Sequence, residues 1–123
     1  MGTMYEEGQT LTTRCGSPHY ISPEMLSGKP YDPLTSDIWS CGVIFYGMVA
    51  GYMPFDEVKN SKIFQKVIKA DYEMPEDLTK ECEDFIRRIL DVNPKTRMSL
   101  SEIKNHSIMP LLTKKVKIVI DEL

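Results

Sequence analysis

Cys15-Gly16-Ser17-Pro18-His19-Tyr20-Ile21-Ser22-Pro23-Glu24 holds a turn and a helix start side by side. Gly16, Ser17 and Pro18 are turn formers, each for its own backbone reason. Ser22 is a cap whose side chain can accept from the first turn, and Pro23 suits the first helical position, so the spacing predicts a short helical turn over 23–26, ended by Ser27-Gly28. Upstream, residues 1–20 are rich in Gly, Thr and charge without a sustained period, and read as a loop. Downstream, 29–34 contains two prolines and reads as irregular. Thr35 or Ser36 is then expected to cap an apolar helix, with Asp37 in its first turn facing the positive end of the helix dipole.

That apolar stretch carries no charge from Ile38 to Phe55, 18 residues, near the lower length for a bilayer span. Ser40, Gly42, Gly47, Gly51 and Pro54 interrupt it, and Asp37 and Asp56 bracket it. Only about 13 helical residues fit before the Gly51-Tyr52-Met53-Pro54 break, which reads as a core helix, apolar all the way round. Trp39 is assigned to the core, where its indole N–H requires a partner.

The pattern then becomes amphipathic. Asn60 or Ser61 is expected to cap a helix with Ile63, Phe64, Val67 and Ile68 on one face. Thr79 opens the next, where Cys82, Phe85, Ile86, Ile89 and Leu90 recur at helical spacing, with Glu81, Glu83 and Asp84 early and Arg87 and Arg88 late. Asn93-Pro94 predicts a turn, and Ser99-x-x-Glu102 a capping box opening a short helix to about His106. Residues 111–123 include Val116-Lys117-Ile118-Val119-Ile120, compatible with strand or helix.

Size and composition set limits. With 123 residues and 41% hydrophobic content there is room for one domain with a modest core. A net charge of −3 and a pI near 5.4 supply no broad basic field, so nucleic acid and membrane surfaces are not expected partners. Three scattered cysteines without a C-x-x-C pair indicate neither a disulfide framework nor a zinc site, and a reducing, cytoplasmic setting is expected. No secretory leader pattern opens the chain. His19 and His106 lack companions at ligand spacing, so no metal site is expected.

The ten residues 15–24, followed by Asp37-Ile38-Trp39-Ser40-Cys41-Gly42 and later by Asn93-Pro94-Lys95-Thr96-Arg97, resemble in order and spacing the back half of a eukaryotic serine/threonine protein kinase. The closest look is to the calcium/calmodulin-dependent and AMP-activated group. The resemblance implies a mainly α fold, the helical C-lobe of the kinase fold, truncated: residues 1–106 a partial kinase domain and 107–123 a tail of uncertain structure. The 123 residues contain no Gly-rich phosphate loop, no V-A-I-K lysine, no H-R-D-x-x-x-x-N loop and no D-F-G.

The same resemblance implies roles residue by residue. Thr13 takes the position of the activating phosphothreonine, written by an upstream kinase, although an ordinary exposed Thr beside Thr10 and Thr12 is the alternative. Gly16, Ser17 and Tyr20 resemble the substrate pocket, with the Ser17 hydroxyl favouring Ser/Thr substrates. Glu24 and Arg97 resemble a structural ion pair, with Ser22 where relatives carry alanine. Asp37 resembles the aspartate that anchors the catalytic loop. Gly47 stands where some basophilic kinases have glutamate, leaving Asp56 and Glu57 as acids that could meet a basic substrate. Cys15 reads as packing rather than as a reactive thiol.

No catalytic residue is assigned. No cofactor is expected in this chain, and ATP and Mg belong to the intact family enzyme. Two readings remain: a kinase's substrate-binding lobe, inactive alone and acting on protein or peptide substrates, or a non-catalytic partner-binding module derived from such a lobe. A chance match by an unrelated helical domain is the weakest alternative.

Overall fold

A computed structural model describes residues 17–110 and 121–122. Thr13, Cys15, Gly16 and the stretch 111–120, on which the tail reading rested, lie outside the described residues. Among the described residues the regular elements are helical, without a strand.

The chain enters through a single 3₁₀ turn, Pro18–Tyr20, whose first free amide, that of His19, donates to Ser17 Oγ at 3.2 Å. Helix α1 follows at Pro23–Leu26, with Met25 N donating to the Ser22 cap at 3.4 Å and Gly28 leaving in the left-handed region at φ 75°. Left-handed backbone is open to glycine at little cost, which makes the stop local.

Helix α2 spans Pro33–Ala50, and its cap is Asp32, whose carboxylate accepts from Leu34 N at 2.9 Å. The expected start at Thr35 or Ser36 is therefore corrected. Pro33 does not break this helix because it occupies the first turn, where no amide has an intrahelical partner. Asp37 consequently sits beyond the first turn and is half-buried, so the first-turn dipole reading of that acid is corrected too. Gly51, at φ 85°, ends the helix.

Helix α3, Asn60–Lys69, begins at Lys59 without a side-chain cap and stops at Ala70 with φ 50°. The Asn60 or Ser61 cap is thus displaced by one residue, and a non-glycine stop carried no turn signal. Ile63 and Val67 are buried, Phe64 half-buried, while Ile68 lies at the margin, 51% exposed. Helix α4, Lys80–Ile89, is capped by Thr79, which accepts from Cys82 N at 3.1 Å. Helix α5, Leu100–Asn105, opens with the complete capping box: Glu102 N donates to Ser99 Oγ and Ser99 N to Glu102 Oε1.

The core forms where α2 meets α4. Trp39, Val43 and Tyr46 of α2 pack with Ile86, Ile89 and Leu90, joined by Phe55, Ile63, Val67 and Met98. Full burial of each such side chain contributes roughly 1.5–3 kcal/mol. Gly42 marks the closest approach, since a Cβ there would stand 2.7 Å from Ile89 Cγ2 and 3.2 Å from Leu90 Cδ2. The prediction that α2 is buried all round is corrected: Leu34, Ile44, Met48 and Val49 form a side 38–77% exposed among the described residues. No helix of these residues is long and apolar enough to cross a membrane.

Candidate functional site

The segment Ser17–Leu26, a 3₁₀ turn and a single helical turn, is too short to hold itself and is tied down by side-chain hydrogen bonds. Its centre is Glu24, on the first turn of α1. Arg97 reaches it from the loop after α4 with both guanidinium ends, Nη1 to Oε2 at 2.7 Å and Nη2 to Oε1 at 2.8 Å. The Arg97 side chain is fully buried and that of Glu24 is 9% exposed, so the pair needs its remaining donors satisfied. They are: Arg97 Nε donates to Asp91 O at 2.8 Å, Nη1 also to Thr35 O at 3.0 Å and Nη2 to Val92 O at 3.3 Å.

The Asn93-Pro94 turn makes this possible. Thr96 N and Arg97 N both donate back to Asn93 O, at 3.2 and 2.9 Å, which folds Arg97 inward. Its guanidinium carbon then stands 5.0 Å from the Trp39 ring centroid, and Trp39 stacks on Phe55 at 5.7 Å. The Trp39 indole N–H is buried and meets no acceptor among the described residues, contrary to the requirement read from its burial.

Two serines extend the hold. Ser22 Oγ donates to Ser36 Oγ at 2.9 Å, and Ser36 Oγ donates onward to Glu24 Oε2 at 2.8 Å. One turn on, Ser40 Oγ donates to Tyr20 O at 2.6 Å. Burial acts to raise the Glu24 pKa, but hydrogen bonds from Arg97, its own backbone and Ser36, together with the Arg97 charge, hold it below its ordinary value near 4.5.

At the outer end, Ser17 Oγ lies 2.6 Å from His19 Nδ1, and His19 Nε2 lies 3.0 Å from Asp56 Oδ1. An Nε2–H tautomer satisfies both contacts, with Ser17 donating to Nδ1 and His19 donating to Asp56. Tyr20 is half-buried and packs on the core cluster.

The structure therefore brings Ser17, Tyr20, Glu24 and Arg97 onto one continuous support, with Asp37 half-buried on α2. Several members escaped sequence reasoning. Ser36 and Ser40 are small polar residues at i, i+4 on an apolar helix, and that spacing was their available signal. His19 with Asp56, and His106 with Asp84 at 2.8 Å, are contacts between distant positions that no local spacing reports. The His106 bond, with further help from Arg88, keeps the Asp84 pKa below its ordinary value against the opposing effect of burial. Burial pushes the Cys82 thiol up, leaving it neutral packing.

A family model described as "Protein kinase domain" matches residues 1–109. The chain belongs to the protein kinase family. Relatives place this kinase piece among serine/threonine kinases. It is 44% identical over 118 residues, 93% of the chain, to the serine/threonine-protein kinase GIN4 of Saccharomyces cerevisiae. It is 38% identical over 109 residues, 89% of the chain, to the mitosis inducer protein kinase cdr2 of Schizosaccharomyces pombe. To CBL-interacting protein kinase 1 of Oryza sativa subsp. japonica it is 48% identical over 96 residues, 78% of the chain. The kinase chain spans 14%, 10% and 21% of the lengths of cdr2, GIN4 and CBL-interacting protein kinase 1.

Enzymes of this family use ATP and Mg. The residues present here do not fit that pair. Among the described residues no three His, Cys, Asp or Glu side chains converge as metal ligands, and the 123 residues contain neither a Gly-rich phosphate loop nor the V-A-I-K lysine.

Proposed function

We propose that these residues form the peptide-docking helical lobe of a serine/threonine protein kinase and do not transfer phosphate by themselves. The observation that carries this reading is the buried two-point fork between Glu24 and Arg97, which fixes the short helical segment 17–26 to the α2–α4 base. On this reading Gly16, Ser17 and Tyr20 border the substrate residue next to the phosphoacceptor. Asp37 is the anchor for a catalytic loop supplied from elsewhere in the kinase, along with ATP and Mg. Thr13 is the activation-loop phosphosite, where a phosphate adds up to about two negative charges and three acceptors for surrounding arginines. Partners are then protein substrates and an activating kinase, and the setting is cytoplasmic.

The test uses the purified chain with labelled ATP, Mg and generic serine and threonine peptides. No transfer is expected, because nothing in these residues holds the triphosphate or accepts the hydroxyl proton. Measurable transfer overturns the reading.

The exposed apolar side of α2, with Met48 77% and Ile44 47% exposed, favours a second reading, a non-catalytic partner-binding module. Cooperative melting of the isolated chain together with micromolar peptide binding supports the module. Melting without a cooperative transition supports a lobe that depends on the rest of its kinase.

A further inference from the structure

Beyond the docking segment, a cavity of about 330 Å³ opens where the end of α2, the following loop and the chain after α3 come together. One wall is aromatic. Tyr46 is almost wholly buried, and its hydroxyl donates to Glu73 O at 2.6 Å, which locks the ring. Tyr52 and Tyr72 each meet Tyr46 edge to face, with centroids 5.9 Å apart and planes at 75° and 84°. Of these rings Tyr52 is the open one, 56% exposed. The exposed face of such a ring is electron-rich and attracts a cation.

The rest of the lining carries the matching charge. Asp56, Asp71 and Glu73 line the cavity against one ammonium, that of Lys66. Glu57 already occupies Lys66 at 2.7 Å, and Asp56 holds His19. Among the described residues no contact ion pair engages Asp71 or Glu73, although both act on the Lys66 ammonium at longer range. We propose that this cavity is a binding site for an arginine side chain of a partner peptide, its guanidinium stacked on the tyrosine wall and its edge donors turned to the carboxylates of Asp71 and Glu73. Arginine suits the site better than lysine because a planar guanidinium can stack and donate sideways at once, whereas an ammonium is a compact, strongly hydrated point. The inference rests on the cavity walls and is independent of the docking reading. A small-molecule probe therefore tests it without any assumption about kinase substrates.

The experiment is an amide NMR titration of the ¹⁵N-labelled chain with Nα-acetyl-arginine methylamide, repeated with the neutral citrulline isostere and the lysine analogue. Saturable shifts centred on Met53, Asp71, Tyr72 and Glu73 are expected, with citrulline weaker by about tenfold or more and lysine intermediate. Tyr52→Ala, which removes a half-exposed ring and leaves the core intact, is expected to weaken arginine binding severalfold, as is Asp71→Asn/Glu73→Gln. Shifts that do not saturate, that spread over the acidic surface, or that are matched by citrulline or lysine overturn the proposal.

Discussion

At the scale of single residues, the Glu24–Arg97 pair shows why a charge can be buried in a small domain. Arg97 reaches three backbone carbonyls besides the carboxylate, so few polar atoms are left unpaired when water is excluded. Glu24→Gln keeps the shape but removes the anion opposite a buried guanidinium. The expected cost in urea unfolding is about 3–5 kcal/mol, the range for breaking one side of a buried pair. The Glu24 pKa is lowered in the folded state. Its stabilisation is therefore complete above the ordinary value near 4.5 and is lost as pH falls through the lower folded value. Glu24→Gln should flatten that part of the acid limb, and an unchanged limb would assign it to other carboxylates.

Tyrosines give the opposite limb. Burial pushes the phenols of both Tyr46 and Tyr72 upward from about 10, so their favourable contribution is present below pH 10 and declines above it. A spectrophotometric titration should show these two of the six tyrosines ionising late, together with unfolding. The Glu24 and Arg97 motifs were legible in the residues because each is local. Their mutual distance was supplied by the resemblance. Ser36 as the bridge to Glu24 was not legible, since a serine on an apolar helix has several uses and spacing does not choose among them.

At the scale of elements, the caps read correctly are those where a serine or threonine side chain accepts from the first turn. Ser22, Thr79 and Ser99 each do so. Lys59 before α3 makes no such bond, and that start was misplaced by one residue. The start of α2 was misread because Pro33 counted as a breaker, although a proline in the first turn costs no hydrogen bond. Gly42 and Gly47 look alike in sequence, yet only one sits at a helix crossing. Gly42→Ala is expected to destabilise by roughly 1–3 kcal/mol through overpacking against Ile89. Gly47→Ala, whose new Cβ would lie 3.7 Å from Met53 Sδ, should be neutral or stabilise by up to about 1 kcal/mol from helix propensity. Thermal melting of the two variants, compared with the parent, checks the contrast.

At the scale of the whole molecule, α2 is an axis with neighbours on one side. The side toward α4 is packed to ångström tolerance, and the side bearing Leu34, Ile44, Met48 and Val49 is open among the described residues. Hydrophobicity alone announced a core helix and could not say which residues would cover each face, because that depends on partners far away along a chain. Met48→Glu should change stability by less than about 0.5 kcal/mol while lowering hydrophobic-dye binding. A large loss of stability would show that this face is packed in solution. Residues 17–26 meet the helical base through the Glu24–Arg97 fork, the serine hydrogen bonds, and packing of the 3₁₀ turn against α2 and α3 and of α1 against α3, and the account predicts that breaking the fork loosens this segment more than the base.

Backbone amide exchange in Glu24→Gln, compared with the parent chain, tests that separation most directly. Met25 N donates to Ser22 Oγ and Ser27 N to Glu24 O around α1, whereas Leu90 N donates to Ile86 O in the base. If the fork is the clamp, Met25 and Ser27 lose about tenfold or more protection beyond any loss at Leu90. Equal exchange at Met25 and Ser27 in both proteins would contradict it.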